Sequence, residues 1–198
     1  MTDPEAVLSF WFGTGRSEVE LYLLQAQWWK KDPEFDNSIR ERFEGAVQAA
    51  ATGSLDAWRD EPRSSVAWVI LLDQFPRNLY RGTPRAFTYD VQALAASLHA
   101  QAAGLDAELP FAFRQFLYMP MMHAEDAHVQ SQGMEAFARL AEEAPDQIKE
   151  TCQKTADFAR RHAEIVQRFG RFPHRNAILD RLGTEEEVAF LKQPGSSF

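Results

Sequence analysis

The sequence predicts an all-α fold. Three observations carry that reading: helix-start signals recur along the chain, apolar residues return at helical spacing, and strand-like alternation is nearly absent. Asp3-Pro4-Glu5 supplies an N-cap, a proline suited to the first helical position and an acid for the first turn, with Gly13 placed to stop the helix after Trp11-Phe12. Ser17 and Glu20 read as a capping box opening a helix towards Trp28, Trp29 and Lys31. Asp32-Pro33 repeats the cap and proline, and Phe35, Ile39, Phe43 and Val47 fall four apart on one face until Gly53.

The run Val66-Ala67-Trp68-Val69-Ile70-Leu71-Leu72 is apolar all round, which predicts a helix buried on every side at the centre of the fold. Thr83-Pro84 then opens a long amphipathic helix towards Gly104. Pro110 opens another through Tyr118, and Pro120 precedes a helix to about Ala144 that contains Gly133. Pro145-Asp146 starts a long helix reaching Phe169-Gly170. Pro173 can sit in the first turn of a short helix, and Thr184 with Glu187 forms a second capping box before Val188, Phe190 and Leu191. About ten helices joined by short connections imply antiparallel neighbours, and therefore stacked antiparallel helical hairpins. No linker, low-complexity tract or fixed-period repeat divides the chain, so residues 1–198 read as a single domain.

Composition narrows the function classes. A net charge of -8 argues against general affinity for nucleic acid, which needs a basic face to displace phosphate counter-ions. No apolar run is long enough to enter a membrane and the N-terminus is acidic, so the expected location is the cytoplasm. Cys152 is the chain's single cysteine and reads as an inert thiol. Positive charge is unevenly placed. Six arginines (160, 161, 168, 171, 175 and 181) face two acids, Glu164 and Asp180, within one segment, which keeps local affinity for an anion open.

Two related segments stand out, Gln74-Phe75-Pro76-Arg77-Asn78 and Arg171-Phe172-Pro173-His174-Arg175-Asn176. Pro76 lacks an N–H and would clash with the Leu72 carbonyl, so the buried helix is expected to kink or end near Phe75 and restart with Pro76 at its first position, leaving free N–H groups on Arg77 and Asn78. Asp73 is placed to orient Arg77, and Arg81 adds charge one turn on. The second segment repeats the pattern after a helix stopped by Gly170. Should the two starts converge, Arg77, Asn78, Arg81, Arg171, His174, Arg175 and Asn176 would line one site for a phosphate or carboxylate. The competing structural reading is that these side chains satisfy helix ends and ion pairs.

The other polar concentration is His123-Ala124-Glu125-Asp126-Ala127-His128. Glu125 and His128 have the Glu-x-x-His spacing of di-iron bundles, but no second copy exists, so neither a metal nor any other cofactor is expected. His123 and Asp126 fall on one helical face, where a carboxylate can fix a histidine tautomer for acid/base work. Equally, Glu125 or Asp126 can pair with Arg168 or Arg171 and hold neighbouring helices in register.

Phe10-Trp11-Phe12, Leu71-Leu72-Asp73-Gln74-Phe75-Pro76-Arg77-Asn78, Arg81-Gly82, Ala86-Phe87, Tyr118-Met119-Pro120, His123-Ala124-Glu125-Asp126 and Phe169-Gly170-Arg171-Phe172-Pro173-His174-Arg175-Asn176 together resemble the bacterial domain-of-unknown-function family 924. The resemblance spans nearly the whole chain. It implies an all-α fold similar to tetratricopeptide-repeat proteins, and it implies no activity, substrate or cofactor. Asp180 departs from the pattern, which has glycine there, and this puts the turn before Arg181 in question.

Two functional readings follow. In the first, a small anionic molecule binds between helices at Arg77, Asn78, Arg81, Glu125, Asp126, Arg171, Arg175 and Asn176, with His123 or His174 supplying hydrolase-type acid/base chemistry. In the second, the chain is a helical scaffold for a peptide or protein partner and the polar motifs serve only the fold.

Overall fold

The computed structural model describes residues 3–23 and 28–197, and among these it contains helices and no strand. Helix α1 (Pro4–Phe12) starts as its sequence dictates: the Asp3 side chain accepts from the Ala6 N–H, and Gly13 ends it in a backbone at φ 78° that favours glycine. Helix α2 (Glu18–Leu23) opens on the Ser17 and Glu20 capping box, each side chain bonding the other's backbone N–H. The expected continuation towards Trp28 crosses residues 24–27, which lie outside the described residues. Helix α3 (Pro33–Ala51) is capped by Asp32 and buries Ile39, Phe43 and Val47 on one face.

The centre is α4 (Pro62–Val69), every residue of which from Ser65 onward is buried. It packs against α1, and the chain it leads into packs against α3. Pro76 does not break this helix. The chain widens into one π turn, Ile70–Gln74, in which the Phe75 N–H reaches back to the Ile70 carbonyl, and then resumes as α5 (Phe75–Leu79). Gln74 and Phe75 keep right-handed helical dihedrals, so the expected free helix start at Arg77 does not form. The wider turn accommodates a ring that would collide with the Leu72 carbonyl in a regular ladder. It leaves Asp73 and Gln74 buried inside the protein.

Two further helix boundaries differ from expectation. Pro84–Phe87 forms a short 3₁₀ turn, and the long helix begins only at Asp90, as α6 (Asp90–Ala102), ending before Gly104 at φ 71°. Pro120 lies inside α7 (Phe111–His123) rather than before a new helix. Ser97 on α6 donates to the Leu117 carbonyl at 2.6 Å, a neighbouring donor in the stretch where proline loosens the ladder. The break comes later, at Ala124, and Asp126 caps α8 (Ala127–Glu143) by accepting from the Val129 N–H. His123 and Asp126 therefore stand on opposite sides of a turn, not on one helical face.

Helix α8 packs on both α7 and α9 (Asp146–Phe169), and Gly170 closes α9 at φ 69°. A 3₁₀ turn, Pro173–Arg175, and α10 (Glu185–Phe190), opened by the Thr184 and Glu187 capping box, complete the chain. The main core is aromatic where α1 meets α7, with Phe12 and Phe113 stacked at 4.1 Å and Phe116 edge-on to Trp11. A smaller cluster of Ile165, Val166 and Phe172 holds the C-terminal segment to α9.

Two substitutions test this packing. A Cβ on Gly133 of α8 would meet the Met121 Cβ of α7 at 3.1 Å, so alanine is near its limit. Gly133→Leu is expected to force the helices apart at about 1–3 kcal/mol, lowering Tm by several degrees, whereas Gly133→Ala stays close to the parent. Asp180 is exposed and sits at φ 53°, the one non-glycine in that region among the described residues. Asp180→Gly is expected to raise stability by about 1 kcal/mol, or roughly 2–4 °C in a thermal melt; an unchanged or lower Tm would remove the strain assigned to this turn.

Candidate functional site

The π turn delivers Asp73 to a place with no solvent access, and a carboxylate there must be matched by donors. His123, the last residue of α7, places Nδ1 at 2.7 Å from Asp73 Oδ1, and Gln74 Nε2 donates to Oδ2. Arg77, one turn along, places Nη1 at 3.3 Å from Oδ1 and donates to the Asp73 carbonyl. Burial alone would raise the Asp73 carboxyl, but the Arg77 charge, His123 and the Gln74 bond outweigh it and hold it down to about 2. Asp73 is therefore ionised and can only accept. It follows that His123 Nδ1 carries the ring proton and that Nε2 bears the lone pair.

Arg77 also forks onto Asp90, at 2.9 and 3.0 Å. Asp90 is the first residue of α6, so the delayed start of that helix is what brings it here. Arg175 approaches from the second Phe-Pro segment. Its Nη1 donates to the His123 carbonyl at 3.0 Å and lies 3.6 Å from Asp90 Oδ2, while its guanidinium carbon sits 4.8 Å from the Phe87 ring centre and 4.5 Å from that of Phe172. The two Phe-Pro segments thus converge on Asp90. Burial pulls Arg175 down to about 10, with the Arg77 charge adding to the effect, which still leaves it cationic at neutral pH. His123 is lowered by burial and by Arg77, against the opposing pull of Asp73 and Asp90. Its Nε2 has no hydrogen-bond partner among the described residues, and 12% of the side chain is exposed.

The remaining candidates divide among other contacts. Asn78 donates to Asp36 Oδ1 at 2.8 Å, and Arg81 forks onto the same carboxylate at 2.6 and 2.9 Å, tying α5 to α3. Arg171 forks onto Glu187 at 2.6 and 2.8 Å, and Asn176 donates to that carboxylate. Glu125 takes Arg181 at 2.5 and 2.9 Å and also accepts from the Phe172 N–H. Its partner is thus neither Arg168, which pairs with Glu186, nor Arg171. Asp126 is an N-cap. The left-handed Asp180 preserves the turn that lets Arg181 reach both Glu125 and Asn176.

Of the predicted set, then, Arg77, His123 and Arg175 share one site, with Asp73 at its base. Asp90 is the member sequence reasoning passed over, since an acid in a first helical turn looks like an ordinary dipole partner. Among the described residues no group of three His, Cys, Asp or Glu side chains gathers to hold a metal ion, and His123 and Glu125 turn to different partners. Two cavities of about 210 Å³ each lie elsewhere and share Gly13, Gly15, Arg63 and Phe113 in their linings. Arg63 in both walls forks onto Glu5, and Glu18, which lines one of them, accepts from the Phe111 N–H through Oε2 while its buried Oε1 has no hydrogen-bond partner among the described residues. No helix among the described residues is long and apolar enough to cross a membrane.

Two more histidines border the site. His162, its ring edge against Phe172, is pushed by burial down to about 3, and His174 by burial and the Arg175 charge down to about 4. Both folded values lie below the unfolded value of about 6.5, so the stability they allow is present above that pH and is lost as pH falls towards 4 and 3. By pH 5 the loss through His162 is on the order of 2 kcal/mol. Urea unfolding at pH 7 and pH 5 should show a smaller drop for His162→Gln than for the parent; equal drops would mean that His162 accepts its proton in the folded state.

The chain can now be set beside known proteins. No curated protein matches it. The solved structure of the protein of unknown function ATU0120 from Agrobacterium tumefaciens is similar at 35% sequence identity over 96% of each chain, with a TM-score of 0.81. A family model described as bacterial protein of unknown function (DUF924) matches residues 7–195, and the chain belongs to that family.

Proposed function

We propose that this chain is an enzyme acting on a small anionic molecule, with His123 as its proton-transfer residue and Arg175 at the charged end of the ligand. The observation that carries this reading is the Asp73–His123 dyad: a fully buried carboxylate fixes Nδ1 as the protonated nitrogen and leaves Nε2 unclaimed. As a donor to Asp73 alone, His123 would serve the fold through Nδ1 and have no use for a second, open nitrogen. A general base needs both a fixed tautomer and an open nitrogen.

The neighbouring charges suit the role. Burial and Arg77 favour the neutral ring, so Nε2 is ready to take a proton at neutral pH. Once protonated, the imidazolium is supported by Asp73 at 2.7 Å, which lets the same residue return the proton to a leaving group. His174 stands beside two cations, Arg175 and Arg181, against the opposing pull of Glu125. His123 is therefore preferred of the two histidines.

The dyad can be tested before any substrate is known. Nitrogen-15 spectra of the histidine rings at pH 7 are expected to show His123 with its proton on Nδ1. In Asp73→Asn the amide can donate to Nδ1, and the proton should move to Nε2. A parent protein with the proton already on Nε2 would end the assignment of His123 as base. For any substrate subsequently turned over, the same variant is expected to lose roughly 10³–10⁴ in kcat, the size of effect seen where a dyad carboxylate is made neutral.

A further inference from the structure

The geometry points to a planar monocarboxylate as the anion this site takes, forked onto the Nε–Nη2 edge of Arg175; this rests on the ligand site proposed above and names the chemistry it selects. A guanidinium offers two in-plane edges and two faces. The guanidinium carbon of Arg175 lies over the rings of Phe87 and Phe172, at 4.8 and 4.5 Å from the ring centres. Nη1 is occupied by the His123 carbonyl at 3.0 Å. The edge left over is Nε with Nη2.

Nε is buried and has no hydrogen-bond partner, in a residue only 7% exposed. Nη2 makes no hydrogen bond among the described residues either, but it is not sealed as Nε is. A buried donor without a partner is uncommon in folded proteins, and because a water-sized group does not reach Nε in the empty protein, an oxygen bonds it only when the side chains over that edge shift on binding. The two N–H bonds on this edge are parallel and spaced to meet the two oxygens of one carboxylate. Because Arg175 also holds the His123 carbonyl, that carboxylate binds beside the residue whose ring carries the open Nε2.

Charge decides between a monoanion and a dianion. Around a neutral His123 stand two carboxylates, Asp73 and Asp90, and two guanidiniums, Arg77 and Arg175. Arg77 is saturated by both acids, whereas Arg175 lies 3.6 Å from Asp90 and is the less compensated cation. These two carboxylates and two guanidiniums already balance, so a bound monoanion adds a single excess negative charge. A phosphate dianion would bring a second charge beside Asp90 with no cation to meet it.

The test reads Arg175 directly. Proton–nitrogen spectra of the arginine Nε–H groups would be recorded at pH 7.5 and constant ionic strength while sodium acetate, sodium chloride or inorganic phosphate is added. The expected result is a saturable shift of the Arg175 Nε–H signal with acetate, half-complete at a concentration about ten-fold lower than with either other anion. Arg175→Lys, which keeps the charge and loses the fork, should abolish the acetate response seen at the His123 ring. A silent Nε–H, or a response to phosphate at lower concentration than acetate, overturns the inference, and the parent titration decides this even if the variant fails to fold. The His123 tautomer read in the same samples separates the two ideas. A proton on Nδ1 with a silent Arg175 leaves the base standing and removes only the carboxylate.

Discussion

A carboxylate with no access to water has to be satisfied by the chain around it, and in this protein that carboxylate is Asp73. Its oxygens receive His123 from the end of α7 and Gln74 and Arg77 from its own segment, and Arg77 in turn fixes Asp90 at the start of α6. Removing one member of such a buried set leaves an uncompensated charge, which costs about 3–5 kcal/mol. Three elements that are distant in sequence are thereby held in one relative position. The π turn is the precondition for all of it, because it is the segment that carries Asp73 inward.

The same proline both hides and creates the site. A regular helix through Pro76 would meet the Leu72 carbonyl, and a broken helix would expose Asp73 and Gln74 to solvent at a terminus. The π turn avoids the clash while keeping every residue from Ile70 to Gln74 buried. A wide turn is less favourable than a regular one, and here the aromatic packing of Phe75 against Trp11 and Phe43 holds it in place. Fold and site are therefore not separable in this region: the residues that pack α5 into the core also aim Asp73 at His123.

Much of the fold was legible because its signals are local. Asp3, Asp32, Thr184 and Glu187 cap the helices they were expected to cap, and the uninterrupted apolar run at 66–72 is the buried centre. The misread boundaries are those at Pro76, Pro84 and Pro120, where a local rule met tertiary packing that could absorb a proline. The site was half legible for a different reason. Residue types and segments were visible, but partner choice was not, since the sequence offers 29 acids to its arginines and spacing does not say which will meet. Asp90 with Arg77, and Glu125 with Arg181, are pairings that depend on how α5, α6 and the C-terminal segment are folded together.

Those pairings also sort the arginines by what they do. Arg77, Arg81, Arg171 and Arg181 each present a fork to a carboxylate of the chain, and a guanidinium used in that way has no strong site left for a ligand. Arg175 gives one nitrogen to a backbone carbonyl, lies over the rings of Phe87 and Phe172, and stands 3.6 Å from Asp90 without forking onto it. A buried cation left in that state raises the energy of the empty protein. Such a cost is sustained where the missing partner arrives from outside, and it places the functional weight of an arginine-rich segment on the buried member whose Nε the fold leaves without a hydrogen bond.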